Sequence, residues 1–295
     1  MSSILACIDG SSYAPSLYQH TAWAADRLQA AVEVLNVYPP APPVYLPPTD
    51  FMGMPGMGGA AMVLPALTEA GEAQEHEAQV RSLALLQEAA AALATEGISH
   101  PRLTDLPGNL SDVLDDWEKP FDLLLLGKRG ESTGTNREAL GSQLETVIRH
   151  STQPVLVVSH AFRPIKRFLV SFDDSPAAHA ALRHVVESPL LRGLACDLVM
   201  AGEPTAENRA ALDSAQLFLR TGGFDAQEFL MEGDPEAVNL WEINANEIDL
   251  LVMGAYSHSR FLQFFIGSTT SEMIRSCRIP VLVMGGKMRA RRPME

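Results

Sequence analysis

Two tandem α/β units, each built on a parallel sheet covered by helices, are the fold this sequence predicts. Three observations predict it. First, one segment occurs twice: Phe121-Asp122-Leu123-Leu124-Leu125-Leu126-Gly127 leads to Pro154-Val155-Leu156-Val157-Val158, and Ile248-Asp249-Leu250-Leu251-Val252-Met253-Gly254 leads to Pro280-Val281-Leu282-Val283-Met284. Second, apolar runs short enough for strands alternate with helix-length segments along the whole chain. Most of these runs are apolar throughout, as expected of a parallel sheet covered on both faces. Third, 295 residues leave room for two domains of roughly 150 residues, each able to bury its own core.

The elements follow in the same order in each half. Ile4-Leu5-Ala6-Cys7-Ile8 reads as the first strand and stops at Asp9-Gly10-Ser11-Ser12. Helical spacing runs from about Pro15 to Gln29, and a second strand from Val32 to Val37. A long alanine-rich helix from about Thr68 to Thr95, a short strand near Pro101 to Thr104 and a helix started by Ser111 come next. The strand Leu123 to Leu126, a glycine loop, a helix from Gly141 to His150 and the strand Val155 to Val158 complete this half. After a linker at about His160 to Lys166, the second half opens with Phe168-Leu169-Val170-Ser171-Phe172-Asp173-Asp174-Ser175. Its helices are expected at about Pro176 to Glu187, Glu207 to Thr221 and Pro235 to Asn246. Its strands are expected at Cys196 to Ala201, Gln227 to Leu230, Leu250 to Met253 and Val281 to Met284. The domains therefore run 1–160 and 166–287, with a basic tail at 288–295.

The first half is the longer, and most of the excess lies at Tyr38 to Pro65, a stretch rich in proline, glycine and methionine. Prolines remove donors and glycines leave the backbone unconstrained, so a long loop beside the first site is expected there rather than helix or ladder. Met52, Met54, Met57 and Met62 could offer thioethers to a soft metal, but no cysteine or histidine joins them, and an adaptable apolar flap is the preferred reading.

A glycine just past a buried strand lets a ligand approach the backbone, and Gly-Ser at a helix start presents unpaired N–H groups and a partial positive charge. The second half offers Gly254-Ala255-Tyr256-Ser257, a spacer, then Gly267-Ser268-Thr269-Thr270; the first offers Gly127-Lys128-Arg129-Gly130, a spacer, then Gly141-Ser142. These are phosphate-cradling elements; plain turns are the competing explanation. Asp9 and Asp173 stand just past the first strand of each half, where a carboxylate can accept hydrogen bonds from ribose hydroxyls or a base amine. A helix N-cap is the competing role for them.

This combination of aspartate, aliphatic strand ending in Gly-x-x-Gly, spacer of roughly nine residues, Gly-Ser and closing Pro-Val-Leu-Val strand resembles the universal stress protein family in its tandem-repeat form, across all but the Tyr38 to Pro65 insert and the tail. The resemblance implies two doubly wound, five-stranded parallel-sheet domains of the adenine-nucleotide α-hydrolase-like class, paired through their last strands. It implies binding of ATP, or of AMP or ADP, with Mg2+ accompanying the phosphates. It assigns base or ribose contacts to Asp9, Val37 and Asp173. Phosphate contacts fall to Gly127, Gly130, Gly141 and Ser142 in the first copy and to Gly254, Ser257, Gly267, Ser268 and Thr269 in the second. Both copies depart from the pattern: Gln143-Leu144 follow the first Gly-Ser, and Ser257 replaces the second glycine, at something like 1 kcal/mol if its φ must be positive. The second copy is favoured as the better site.

Other classes find little support. Neither Gly-x-x-x-x-Gly-Lys-Ser/Thr nor Gly-x-Gly-x-x-Gly after a first strand is present. The histidines form no evident triad or metal cluster. A net charge of −14 opposes nucleic-acid binding, and no apolar run nears the roughly 20 residues of a membrane span. Cys7, Cys196 and Cys277 have no disulfide or metal spacing, and the N-terminus lacks a basic leader, so a cytoplasmic location is expected. The expected function is nucleotide binding that biases conformation or partner binding in a stress response. A slow ATPase or related nucleotide-transferring enzyme, with Lys128, Arg129 and Arg260 on phosphate charge, and a scaffold with decayed sites are the alternatives. A homodimer is open beside the intrachain pair.

Overall fold

The computed structural model describes residues 2–41, 59–128, 143–255 and 268–285, with side chains from residue 68 in the second span and from residue 270 in the last. In chain order the first half contributes β1 (Ser3–Ile8), α1 (Ala14–Leu28), β2 (Ala31–Tyr38), α2 (Gly59–Thr95), β3 (Arg102–Pro107), α3 (Leu110–Asp115), β4 (Leu123–Gly127), α4 (Leu144–His150) and β5 (Val155–Val158). The second contributes β6 (Arg167–Ser171), α5 (Pro176–Glu187), β7 (Ala195–Ala201), α6 (Ala206–Thr221), β8 (Ala226–Met231), α7 (Pro235–Ala245), β9 (Leu250–Gly254), α8 (Ser268–Ser276) and β10 (Val281–Met284).

The strands form one ten-stranded sheet in the order β3-β2-β1-β4-β5-β10-β9-β6-β7-β8. Neighbours within each half run parallel, and β5 pairs antiparallel with β10, Leu156 opposite Leu282 and Val157 opposite Val281. The four apolar residues of β5 and of β10 are buried on both faces, so neither strand could stand as a sheet edge without exposing them. One face is covered by α1, α2, α5 and α6, the other by α3, α4, α7 and α8, and both cores run unbroken through the two halves.

The repeated aspartates ahead of β4 and β9 have a structural role. Asp122 Oδ2 accepts from the Ser3 N–H at 2.9 Å, and Asp249 Oδ2 accepts from the Lys166 and Arg167 N–H groups at 2.8 and 3.1 Å. Each pins the start of its neighbouring first strand and so fixes the register in which the strand ends meet.

The linker between the halves returns along α1. The Ser16 hydroxyl donates to the Ser159 carbonyl at 2.8 Å, His160 meets Tyr13 edge-on, and Phe162 packs edge-on against His20 with ring centres 4.9 Å apart. Membrane spanning finds no support: among the described residues no helix is long and apolar enough to cross a bilayer.

The reading of Tyr38 to Pro65 as loop needs correction at its far end. Helix α2 begins at Gly59, not near Thr68, and carries Pro65 inside it. Ala60, Ala61, Met62 and Leu64 are good helix formers, and their propensity outweighs the one donor that Pro65 withholds. Residues 42–58, including Met52, Met54 and Met57, and the tail at 288–295 lie outside the described residues.

Candidate functional site

In each half the strand order reverses between the first strand and the fourth, at β1/β4 and again at β6/β9. Helical connections leave these strands toward opposite faces, and beyond the carboxyl ends of strands at such a reversal is where open α/β sheets form the crevices that bind ligands. Asp9 follows β1, and Gly127 closes β4 beside it; Asp173 and Gly254 hold the same places at β6 and β9.

The two aspartates are folded in the same way. Asp9 Oδ1 accepts from the Ser11 N–H at 3.1 Å, and Asp173 Oδ1 accepts from the Ser175 N–H at 3.1 Å. The residue between takes a left-handed conformation in both, Gly10 at φ 67° and Asp174 at φ 57°. Asp tolerates that region because its short side chain bonds locally, here to His179 Nε2 at 2.8 Å. The N-cap role considered for Asp173 is corrected: Ser175 caps α5, its hydroxyl accepting from the Ala178 N–H, while α1 begins after Tyr13 with no side-chain cap. Both carboxylates are partly exposed at the crevice and oriented by the turn that each closes.

Gly254 is required by packing. A β-carbon there would lie 2.6 Å from Ala177 Cβ and 2.7 Å from the Ala177 carbonyl carbon, so β9 ends in contact with the backbone of α5. The first turn of α8 closes over the same strand end, where the Thr270 hydroxyl stands 3.2 Å from the Ala255 carbonyl and 3.4 Å from that of Gly254. Ser268 and Thr269 are its first two residues. Val37 lies near the end of β2, half-buried opposite Leu106. Gly130, Gly141 and Ser142 of the first glycine loop, and Ser257 and Gly267 of the second, lie outside the described residues, as do Arg129 and Arg260.

Two features separate the halves. Helix α2 has 37 residues where α6 has 16, and its Leu85 lies over Gly10, 3.2 Å from where a β-carbon would stand. It also brings Glu88 toward Tyr18 and Glu75 toward Tyr38. The Tyr18 hydroxyl is pushed up to about 12 by burial, then by Glu88 and Asp9, and Tyr38 is raised by burial, Asp105 and Glu75.

The second feature is Lys128. The expectation that it serves phosphate charge meets a different geometry: the buried ammonium donates to the backbone carbonyls of Arg275 at 2.6 Å and Cys277 at 2.7 Å, at the C-terminal end of α8 in the other half. Sequence alone gave no signal for this contact, since its acceptors are main-chain oxygens 147 and 149 positions away.

A cavity of about 390 Å3 lies apart from both crevices, at the amino end of β4 and β5. Trp117, Phe121, Leu124 and Val147 line it together with residues of α3, which has six residues where α7 has 11. Asp115 lines it, but Asp9, Asp173, Gly127 and Gly254 do not. Among the described residues no group of three or more His, Cys, Asp or Glu side chains is placed to hold a metal ion.

Comparison with known proteins accords with this duplication. The family model described as the universal stress protein family matches residues 1–159 and again 164–285. A universal stress protein of Synechocystis sp. is 31% identical over 284 residues, covering 96% of this chain and 99% of its own length. The solved structure of a universal stress protein from Archaeoglobus fulgidus DSM 4304 superposes with a TM-score of 0.64 at 18% identity, covering 96% of this chain and 98% of its own. A solved structure from Pseudomonas aeruginosa UCBPP-PA14 gives 0.62 at 14% identity, covering 96% and 93%. At these identities the two structures speak to the fold alone.

Proposed function

The chain belongs to the universal stress protein family, and from that premise we propose that it binds adenine nucleotide and acts through nucleotide-dependent conformation or partner binding. One observation carries the reading. Each half presents, at a strand-order reversal, an aspartate held in the same turn by the same 3.1 Å hydrogen bond, beside a glycine that ends the fourth strand. A carboxylate fixed in this way is set to accept from ribose hydroxyls or a base amine without first reorganising.

In this reading Asp173 holds the nucleoside, and the start of α8 with Gly267, Ser268 and Thr269 holds the phosphates together with Gly254 and Ser257. Asp9, Val37, Gly127, Gly130, Gly141 and Ser142 have the corresponding roles in the first half. The second half is the better site. Glu75, Glu88 and Asp105 add negative charge about Tyr18 and Tyr38 in the first half, and Leu85 covers Gly10, whereas Lys128, a cation that could have offset that charge, is engaged on α8. Mg2+ would be held by the phosphates themselves, with at most single carboxylates helping, since the described acidic side chains form no ligand cluster.

The engagement of Lys128 also weighs against the slow ATPase reading, because it takes one of the three basic residues away from phosphate. Titration calorimetry of the full chain with ATP tests the proposal. Asp173→Ala should weaken binding by about 1 to 3 kcal/mol, the loss of hydrogen bonds to a charged group. Equal affinity in wild type and variant would contradict the assignment, and phosphate release above that of a Gly267→Leu control would favour the enzyme.

A further inference from the structure

We propose that α8 couples the two glycine loops, with Lys128 as the positioning residue that links the first loop to the second site. The regulatory consequence rests on the nucleotide reading above.

The connection follows from the antiparallel join. Gly127 stands beside Val158 at the end of β5, and Val157 pairs with Val281 at the start of β10. The carboxyl end of β4 therefore faces the segment that enters β10, which is the end of α8. Lys128, one residue into the first glycine loop, crosses this short gap and donates to the Arg275 and Cys277 carbonyls at 2.6 and 2.7 Å. A cation there bonds carbonyls that the helix leaves without intrahelical donors and faces the negative end of the helix dipole. Burial strengthens both effects, because little water competes.

The other end of the helix meets the second loop. Thr270, in the first turn, brings its hydroxyl to the Gly254 and Ala255 carbonyls at 3.4 and 3.2 Å. Helix α8 has nine residues, a rigid element roughly 13 Å long. It is fixed to the first loop at its C-terminus and to the second at its N-terminus. A displacement of Lys128 is therefore transmitted through α8 to the helix start assigned above to the second phosphate site, and to Gly254 and Ala255 beside it. The link has one direction of construction. The position matching Lys128 in the second half is Ala255, fully buried and without an amine to reach α4. Reciprocity nevertheless holds for the binding energies: phosphate at the start of α8 must alter the first loop by the same factor.

Hydrogen-exchange mass spectrometry of the full chain tests this with Lys128→Met, Lys128→Arg and Thr270→Val, with and without ATP. Lys128→Met keeps the aliphatic stem and removes the donor. It should speed exchange at least fivefold through α8 and at residues 254 and 255, and weaken ATP binding at the second site about fivefold or more. Lys128→Arg, which keeps a donor cation, should restore most of both. Thr270→Val should speed exchange at residues 127 and 128 from the opposite end, which keeps the test decisive if Lys128→Met does not fold. Exchange at residues 254–255 within twofold of wild type in folded Lys128→Met, or at 127–128 in Thr270→Val, would overturn the coupling whether or not nucleotide binds. Altered exchange with no ATP bound to any form would leave the mechanical link in place and overturn the nucleotide reading instead.

Discussion

Replacing Gly254 by alanine separates the packing role of this glycine from any role toward ligand. The added β-carbon would lie 2.6 Å from Ala177 Cβ, 2.7 Å from the Ala177 carbonyl carbon and 3.0 Å from the Ala178 nitrogen. Two of these three neighbours are backbone, so no rotamer change relieves the overlap; α5 must move away from β9 by about 1 Å, and a close-packed interior resists that. Ala178, Ala181, Leu182 and Val185 on the buried face of α5 would all shift with it. Overpacking of this kind costs about 1 to 3 kcal/mol. The backbone contacts place Gly254→Ala near 3 kcal/mol, with or without nucleotide present. Urea unfolding followed by circular dichroism measures it, and the slope of the transition shows whether the unfolded state has changed. Ala177→Gly in the Gly254→Ala background should recover part of the loss, because one of the three contacts goes and two remain. A loss below about 0.5 kcal/mol, or full recovery in the double variant, would refute the packing argument.

Three further outcomes follow from polar groups that the fold holds in fixed contacts. Arg167 Nε stands 3.0 Å from Asp197 Oδ2, and Asp197 is fully buried near Glu242, whose carboxyl is raised by burial and then by Asp197. Arg167→Met should therefore cost roughly 3 kcal/mol at pH 7, because it leaves Asp197 buried without its cation, and less at pH 5, where the raised Glu242 carboxyl takes up a proton; an equal cost at both pH values in denaturation curves would contradict this. His20 donates Nδ1–H to the Ser16 carbonyl at 2.7 Å, and burial of its unpartnered Nε2 holds its pKa down to about 4 against an ordinary 6.5. The unfolded chain binds this proton first, so the stability His20 contributes is whole above pH 6.5 and falls as pH drops toward 4. Between pH 7 and 5 the loss is about 2 kcal/mol, and His20→Asn should flatten the wild-type slope by that amount. Glu242 shifts in the opposite direction and contributes alike to both proteins, so an unchanged slope would count against buried neutral His20. Asp234 caps α7, accepting from the Glu236 and Ala237 N–H groups at 2.9 and 3.1 Å. Asp234→Ala should lower stability by about 1 kcal/mol in urea titrations, and no loss would deny the cap.

The middle of the sheet was legible because its strands are apolar on both faces. Val155–Val158, Val281–Met284 and the helix Pro176–Glu187 have in the structure the bounds their sequence indicates, each marked by a proline or by a sharp change in polarity. The start of α2 was obscured by the glycines and prolines before it, which outweighed the propensity of Ala60, Ala61, Met62 and Leu64. The aspartates at the crevices were legible as residues and less so as bonds. Spacing alone does not distinguish an aspartate that caps a helix from one that bonds the N–H two residues on and leaves the cap to Ser175. Gly254 shows the same limit, since a strand-end glycine reads equally as ligand access or as close helix approach, and only the distance to Ala177 identifies the second. The role of Lys128 was hidden altogether, because backbone carbonyls accept alike whatever side chain they carry.

Whether the chain carries adenine nucleotide can be read by mass spectrometry of small molecules released from the freshly purified full chain. The account predicts an adenine nucleotide at about one per chain, retained through Asp173 and the start of α8 and lost in Gly267→Leu with the fold intact by circular dichroism. A wild-type chain that releases no nucleotide and takes up none from added ATP would contradict it.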